Sequence, residues 1–201
     1  SKYIEKNSIP VVSIHLDAVG GISGDMFAAA FLDVQPELMT GIREAVQTME
    51  LGSQVEFDSS FHSDGILNGT RFLVRDKNSK ALPHTSWKVI RKMFLEARLE
   101  ERIRENALGI FEMLAEAEAV VHGIEPEAVV FHEVGSSDSI IDVLAASVII
   151  HAHGNSEWFL GSLPLGRGEA MTEHGKLPVP APAVIELLKG FDFHDDVEEG
   201  E

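Results

Sequence analysis

The 201-residue chain contains no cysteine. Disulfides, thiolate metal sites and thiol nucleophiles are therefore excluded. Any metal has to be met by His, Asp, Glu, backbone carbonyls or water, a donor set suited to divalent ions of hard to borderline character. Basic residues are scarce: 16 Lys and Arg stand against 33 Asp and Glu, a net charge of −17. A surface so acidic repels nucleic acid and anionic membranes, and it concentrates cations. No apolar run reaches the roughly 18–20 residues that span a bilayer. The opening SKYIEKNSIP has no hydrophobic segment of the signal-peptide kind. The expectation is a cytoplasmic protein that meets neither nucleic acid nor membrane. An apolar share of 44% suffices for a real core, in one domain or two small ones.

The most informative stretch is PVVSIHLDAVGGISGDMFAAAFLDV, residues 10–34. Val12, Ile14 and Leu16 alternate with Ser13, His15 and Asp17, as in a half-buried strand. Gly20, Gly21 and Gly24 then loosen the backbone, and Met26 to Leu32 are good helix formers. Strand, glycine-rich turn and helix gather backbone N–H groups at a helix N-terminus, where partial positive charge collects. Ser23 is placed to cap that helix, and Asp25 falls in its first turn. Neither G-x-G-x-x-G nor G-x-x-x-x-G-K-[ST] is met here, and there is no lysine for a phosphate. An ordinary tight turn between strand and helix remains an equal reading of this stretch alone.

Further on, a helix is expected from Pro36 to Gly52, then two strands at 54–62 and 67–75 joined through Ser63-Asp64-Gly65 as a hairpin. His62 reads as a solvated surface histidine. Trp87, Ile90, Phe94 and Leu95 form one apolar helix face after a Ser86 cap. From Leu99 a longer helix repeats apolar residues at threes and fours to Val121, with Arg102 and Arg104 on its wet side and a stop at Gly123. AVVFHEV, 128–134, is a short strand. The helix from Asp138 to His151 is apolar almost all round and should be buried. It nonetheless carries Asp138 and Asp142 one turn apart. Like charges at that spacing repel, and an unpaired buried carboxylate is costly. A helix N-terminus, an arginine or a bound cation has to compensate. His132 with nearby carboxylates is a workable set for Ni²⁺, Zn²⁺ or Mn²⁺, and buried hydrogen-bonded polar groups are the alternative. His151 and His153 lie about 200° apart on a helix, so they do not converge; a solvated helix end is expected. Residues 164–182, dense in Gly and Pro, read as a long loop in which Arg167, His174 and Lys176 are the cations.

Three blocks resemble one family. His15 to Met26, HLDAVGGISGDM, resembles the opening motif of the LarC family of nickel insertion proteins. His132 to Asp142, HEVGSSDSIID, is similar to its HEVGxxDSIxD motif. Leu163-Pro164-Leu165-Gly166, with HGKLPVPAP from His174 to Pro182, resembles its PLPLGxG and HGxLPVPAPA segments. The pair Val19-Gly20 departs from the family loop, and the family's histidine-rich stretch is missing. The resemblance implies a CTP-dependent cyclometallase (a lyase) that inserts nickel into pyridinium-3,5-bisthiocarboxylic acid mononucleotide. The product would be the nickel-pincer cofactor of lactate racemase and related enzymes. It implies Ni²⁺ as substrate metal and CTP with Mn²⁺ or Mg²⁺ held by a C-terminal part. Partners would be that part, the mononucleotide, the receiving racemase and other copies of the chain.

The expected fold is α/β: a mixed β-sheet with packed helices and one β-hairpin. Residues 1–190 would form an N-terminal domain and 191–201 an acidic tail leading to the missing part. The resulting candidates are Asp17, Asp25, His132 and Glu133 for catalysis. Gly21, Ser23, Gly24, Arg167 and Lys176 would bind cofactor or substrate, and His132, Asp138, Asp142 and His174 metal. Two alternatives stay open: a non-catalytic nickel-binding module, and a metal-dependent phosphoester hydrolase using Asp17, Asp25, His132 and Asp138.

Overall fold

The computed structural model describes residues 12–77, 85–132, 134–172 and 175–194. Strand β1 (Ser13–Leu16) leads through the glycine turn to α1 (Gly24–Val34) and α2 (Leu38–Gln47). The hairpin β2 (Val55–Ser63) and β3 (Asn68–Asp76) follows. Then come β4 (Thr85–Ser86), α3 (Trp87–Glu96), α4 (Glu101–His122), β5 (Val130–Phe131) and α5 (Ser137–Ala152). After α5 come β6 (Glu157–Leu160), β7 (Leu163–Pro164), β8 (Glu169–Thr172), β9 (Gly175–Pro178), α6 (Pro182–Leu187) and β10 (Phe193–His194).

The class is mixed α/β, with the hairpin where the turn residues put it. Asp64 shapes that turn by accepting the N–H groups of Ile66 and Leu67 at 2.8 and 2.7 Å, an Asx-type arrangement. These hydrogen bonds hold the Asp64 carboxyl below its ordinary range. Strand pairs run both ways: β1–β6 and β7–β10 are parallel, while β2–β3, β4–β5 and β8–β9 are antiparallel. The pairs stay two-stranded rather than joining into one sheet. The reason lies in α5, whose apolar circumference takes the centre of the molecule. Helices α1, α2 and α4 and strand β3 all pack on it. Ile140, Ile141, Leu144 and Ile149 of α5 are fully buried, with Ile42, Phe94 and Phe111 from the surrounding helices. Burying each such side chain is worth about 1.5–3 kcal/mol.

Several local expectations need correcting. Leu95, expected on the apolar face of α3, is 56% exposed. Arg104 does not face water: its guanidinium donates to the carbonyls of Phe94, Ala97 and Leu99 at 3.2, 3.1 and 3.0 Å. It thus satisfies acceptors at the end of α3 that the helix leaves open. The Gly- and Pro-rich stretch 164–182 is not one loop, because β8 and β9 form a hairpin inside it. His153 is buried rather than solvated, 4% exposed. Its Nε2 hydrogen-bonds Gln35 Oε1 at 2.8 Å, and the rings of Phe31 and Trp158 close over it. Burial holds its pKa below the ordinary value. Gly123 behaves as expected, with φ +64 at the end of α4 and its N–H bonded to Ala119 O.

Candidate functional site

The N-termini of α1 and α5 meet, and Gly24 is where they touch. A Cβ on Gly24 would lie 2.8 Å from Asp142 Cβ and 3.2 Å from Asp142 Oδ2. Only a glycine lets the two helices approach this closely. Asp142 lies on the side of α5 facing α1, with the backbone N–H of Asp25 close enough to its carboxylate to favour the charged form. Its Oδ1 is buried and has no hydrogen-bond partner among the described residues. Burial, then the charges of Asp25 and Asp138, push the Asp142 carboxyl up to about 7 from 3.8; the Asp25 N–H opposes them. The compensation that the Asp138–Asp142 spacing calls for is therefore only partly supplied by the protein.

The glycine turn uses its own donors. Gly21, at φ +117, donates its N–H to Ala18 O at 3.2 Å. Ser23 sits at the N-cap position of α1, but its hydroxyl bonds the Asp25 carboxylate rather than a backbone N–H. Asp25 Oδ1 also accepts the Met26 N–H at 2.9 Å. Asp17 is exposed at the end of β1 beside Gly161, where a Cβ would be 3.7 Å from Asp17 Oδ1.

His132 faces elsewhere. It lines a cavity of about 260 Å³ with His122 and Glu118, walled by Val121, Leu177 and Pro182. His122 Nε2 stands 3.4 Å from Glu118 Oε2. The second block thus meets the first at Gly24–Asp142 and the third at this cavity, on either side of the Val134–Ser137 turn. Arg167 is exposed between β7 and β8. Lys176 pairs with Glu169 across the β8–β9 hairpin. Glu133 and His174 lie outside the described residues. Among the described residues, no three His, Asp or Glu side chains converge closely enough to hold a metal ion. Asp25, Asp138 and Asp142 share a junction without enclosing a common point.

The sequence profile described as "Nickel insertion protein" matches residues 14–201. The chain belongs to the nickel insertion protein family. It is 40% identical over 190 residues to a protein of Geotalea uraniireducens, covering 94% of this chain and 48% of that one. A Geobacter sulfurreducens protein is 40% identical over 189 residues, with 94% and 48% covered. A Wolinella succinogenes protein is 35% identical over 177 residues, with 88% and 44% covered. All three carry the description "Putative nickel insertion protein". The chain spans about half the length of these curated relatives. No solved structure matches it. Among the described residues no helix is long and apolar enough to cross a membrane.

Two features of this nickel insertion family member were not legible beforehand. Gly24, expected as a turn glycine that binds cofactor or substrate, is a point of helix contact. His62 and Arg71 line an open groove of about 780 Å³ between α1 and the hairpin that reaches Ser23 and Asp25. Their signal was the hairpin register: His62 opposes Gly69, so Arg71 is its diagonal neighbour on the same face.

Proposed function

We propose that the α1–α5 junction receives Ni²⁺ as substrate and releases it to an organic acceptor, so that the chain is the metal-handling half of a nickel-inserting enzyme. One observation carries this reading: a buried Asp142 oxygen without a partner, in a chain of the nickel insertion family. A buried carboxylate left so exposed to its neighbours' charge is costly unless a cation joins it. Asp142, with Asp25 and Asp138 beside it, is an oxygen set that borderline divalent ions accept. Its looseness suits cargo that must be handed on rather than kept.

The finer reading is CTP-dependent insertion into pyridinium-3,5-bisthiocarboxylic acid mononucleotide, a lyase reaction yielding the nickel-pincer cofactor. It rests on the three-block resemblance. The Gly20–Asp25 turn does not fit a triphosphate: it has no lysine, and Asp17 and Asp25 flank it. CTP with Mn²⁺ or Mg²⁺ therefore belongs, in this reading, to the part of the relatives that this chain does not span.

Calorimetric titration of the chain with Ni²⁺ tests the proposal. Wild type should bind one equivalent, and Asp142→Asn should bind at least tenfold more weakly. Equal affinity in the two would remove the junction from the metal's path. Adding CTP, the thiocarboxylate mononucleotide and the remaining half of a full-length relative separates an enzyme from a carrier. Nickel-pincer product supports the first, and binding without product the second.

A further inference from the structure

We propose that the bare face of the β1–β6 pair, with its stacked His15 and Phe159, is a docking surface. Its occupant is the half of the family protein that lies beyond the segment this chain spans. Occupancy of this face does not depend on nickel at the α1–α5 junction.

Strands β1 and β6 run parallel, with Ser13 opposite Glu157 and His15 opposite Phe159. Successive side chains of a strand point to opposite faces. Trp158 turns to α1, its ring centroid 6.2 and 5.7 Å from those of Phe27 and Phe31. Ser13, His15, Glu157 and Phe159 therefore share the other face, and all four are exposed. The His15 imidazole lies along the Phe159 ring, with centroids 4.8 Å apart and planes 12° from parallel. Parallel strands are ordinarily covered on both faces, and a lone two-stranded pair is marginal in water. Among the described residues nothing covers this face.

The path of the chain selects the occupant. Strand β7 starts just past β6, and there the Leu163 N–H donates to Asp192 O at 2.8 Å. Ser162 Oγ is 3.0 Å from His194 Nδ1. The last described strand, β10, thus lies against the segment that directly continues β6. Leu160, Leu165, Phe191 and Phe193 are exposed here as well, and they carry apolar surface from Phe159 toward β10. The chain spans about half the length of its relatives, and their remaining half follows the matched part. Seven residues separate His194 from Glu201, a reach of about 25 Å at full extension. The remaining half therefore begins within that distance of β10.

A second copy of the chain is a poorer occupant. Two four-residue strands present a face of roughly 13 by 10 Å, whereas a stable dimer buries about 800 Å² on each partner. A tethered segment needs less, because a short linker holds it at an effective concentration in the millimolar range. It has to bring an apolar group to Phe159 and keep carboxylates away from Glu157, since like charges placed opposite each other repel.

Amide hydrogen exchange on this chain and on the full-length Geotalea uraniireducens relative tests the proposal. Segments equivalent to 13–16 and 157–160 should exchange at least tenfold more slowly in the full-length protein, while α3 exchanges alike in both. Phe159→Glu should leave this chain's own thermal midpoint within about 4 °C of wild type, because the ring is half exposed. The equivalent substitution in the full-length protein should return exchange of both strands to the rate seen in this chain. Ser13→Arg, which keeps the ring stack and crowds the same face, should do the same. Equal exchange in the two proteins overturns the proposal, as does slowing that α3 shares. So does a dimer of this chain in sedimentation that Phe159→Glu dissolves, which would give the face to a second copy.

Discussion

Helix α5 packs in two different ways around its circumference. Around Ile141, Leu144 and Ile149 it is enclosed by apolar side chains from α1, α2 and α4, and the buried Ser147 hydroxyl is satisfied by donating to Val143 O at 2.7 Å. Between Ile141 and Leu144 in sequence, on the side turned to α1, the same helix presses the Asp142 carboxylate against Gly24 and leaves one oxygen unanswered. Packing of the first kind stabilises; the second kind spends stability at a position where the family's chemistry is expected. The contrast teaches that the junction is not a defect of the core but an interruption of it. Substitutions in the two regions should therefore have opposite relations to nickel binding.

The largest effect is expected in the enclosed region. Phe111 is fully buried, with the rings of Trp87, Phe94 and Phe131 around it. Phe111→Ala should cost about 3–5 kcal/mol in urea unfolding, while nickel affinity of the folded fraction stays unchanged. A parallel loss of affinity would mean that the two regions are not separable. Next is Gly24→Ala, whose new methyl meets Asp142 Cβ, an atom with no freedom to swing away. A destabilisation of about 2–3 kcal/mol is expected, now together with lost nickel binding.

Asp142→Asn sharpens the contrast by reversing the sign of the stability effect. The folded chain holds the Asp142 proton until about pH 7, and the unfolded chain loses it near 3.8. Below about pH 4 both states are protonated and the stabilisation is fully present. Between these values the folded state binds more protons, so stability falls as pH rises and has been lost above 7. Asn carries no charge and keeps an acceptor for the Asp25 N–H. At pH 8 the variant should be more stable than wild type by about 2 kcal/mol, less than the whole shift converts to, because the side chain retains some water. At pH 4 the difference should vanish. A variant less stable than wild type at pH 8 would show that the charge is already neutralised within the protein.

Much of the enclosed region was readable from spacing. Threes and fours mark α2 and α4, and a helix apolar on all sides, as 138–151 is, has to be central. The Asp138–Asp142 pair also announced a need for compensation, since like charges one turn apart on a buried helix demand it. What answered that need was not readable. Gly24 sits among turn glycines, and nothing local distinguishes a glycine that lets the chain bend from one that lets a helix approach. His153 followed its buried helix inward because Phe31 and Trp158, distant in sequence, close over it. Strand partnering failed to show for the same reason: β1 meets β6 across more than 140 residues. The β8–β9 hairpin hid among Gly and Pro residues that usually mark irregular backbone.

The smallest expected effect tests whether the third block reaches the ligand. Lys176 is one of the few cations in an acidic chain, which made it a natural anion contact. Across the β8–β9 hairpin it pairs with Glu169, and both side chains are more than half exposed, at 64% and 58%. An exposed pair of this kind contributes at most about 1 kcal/mol. Lys176→Ala should therefore leave the unfolding midpoint almost where it was. Engagement with Glu169 also leaves less of the ammonium for a phosphate. Nickel affinity should accordingly be unchanged in Lys176→Ala. A loss of nickel binding would join this hairpin to the α1–α5 junction, and the separation between the second block's two contacts would disappear.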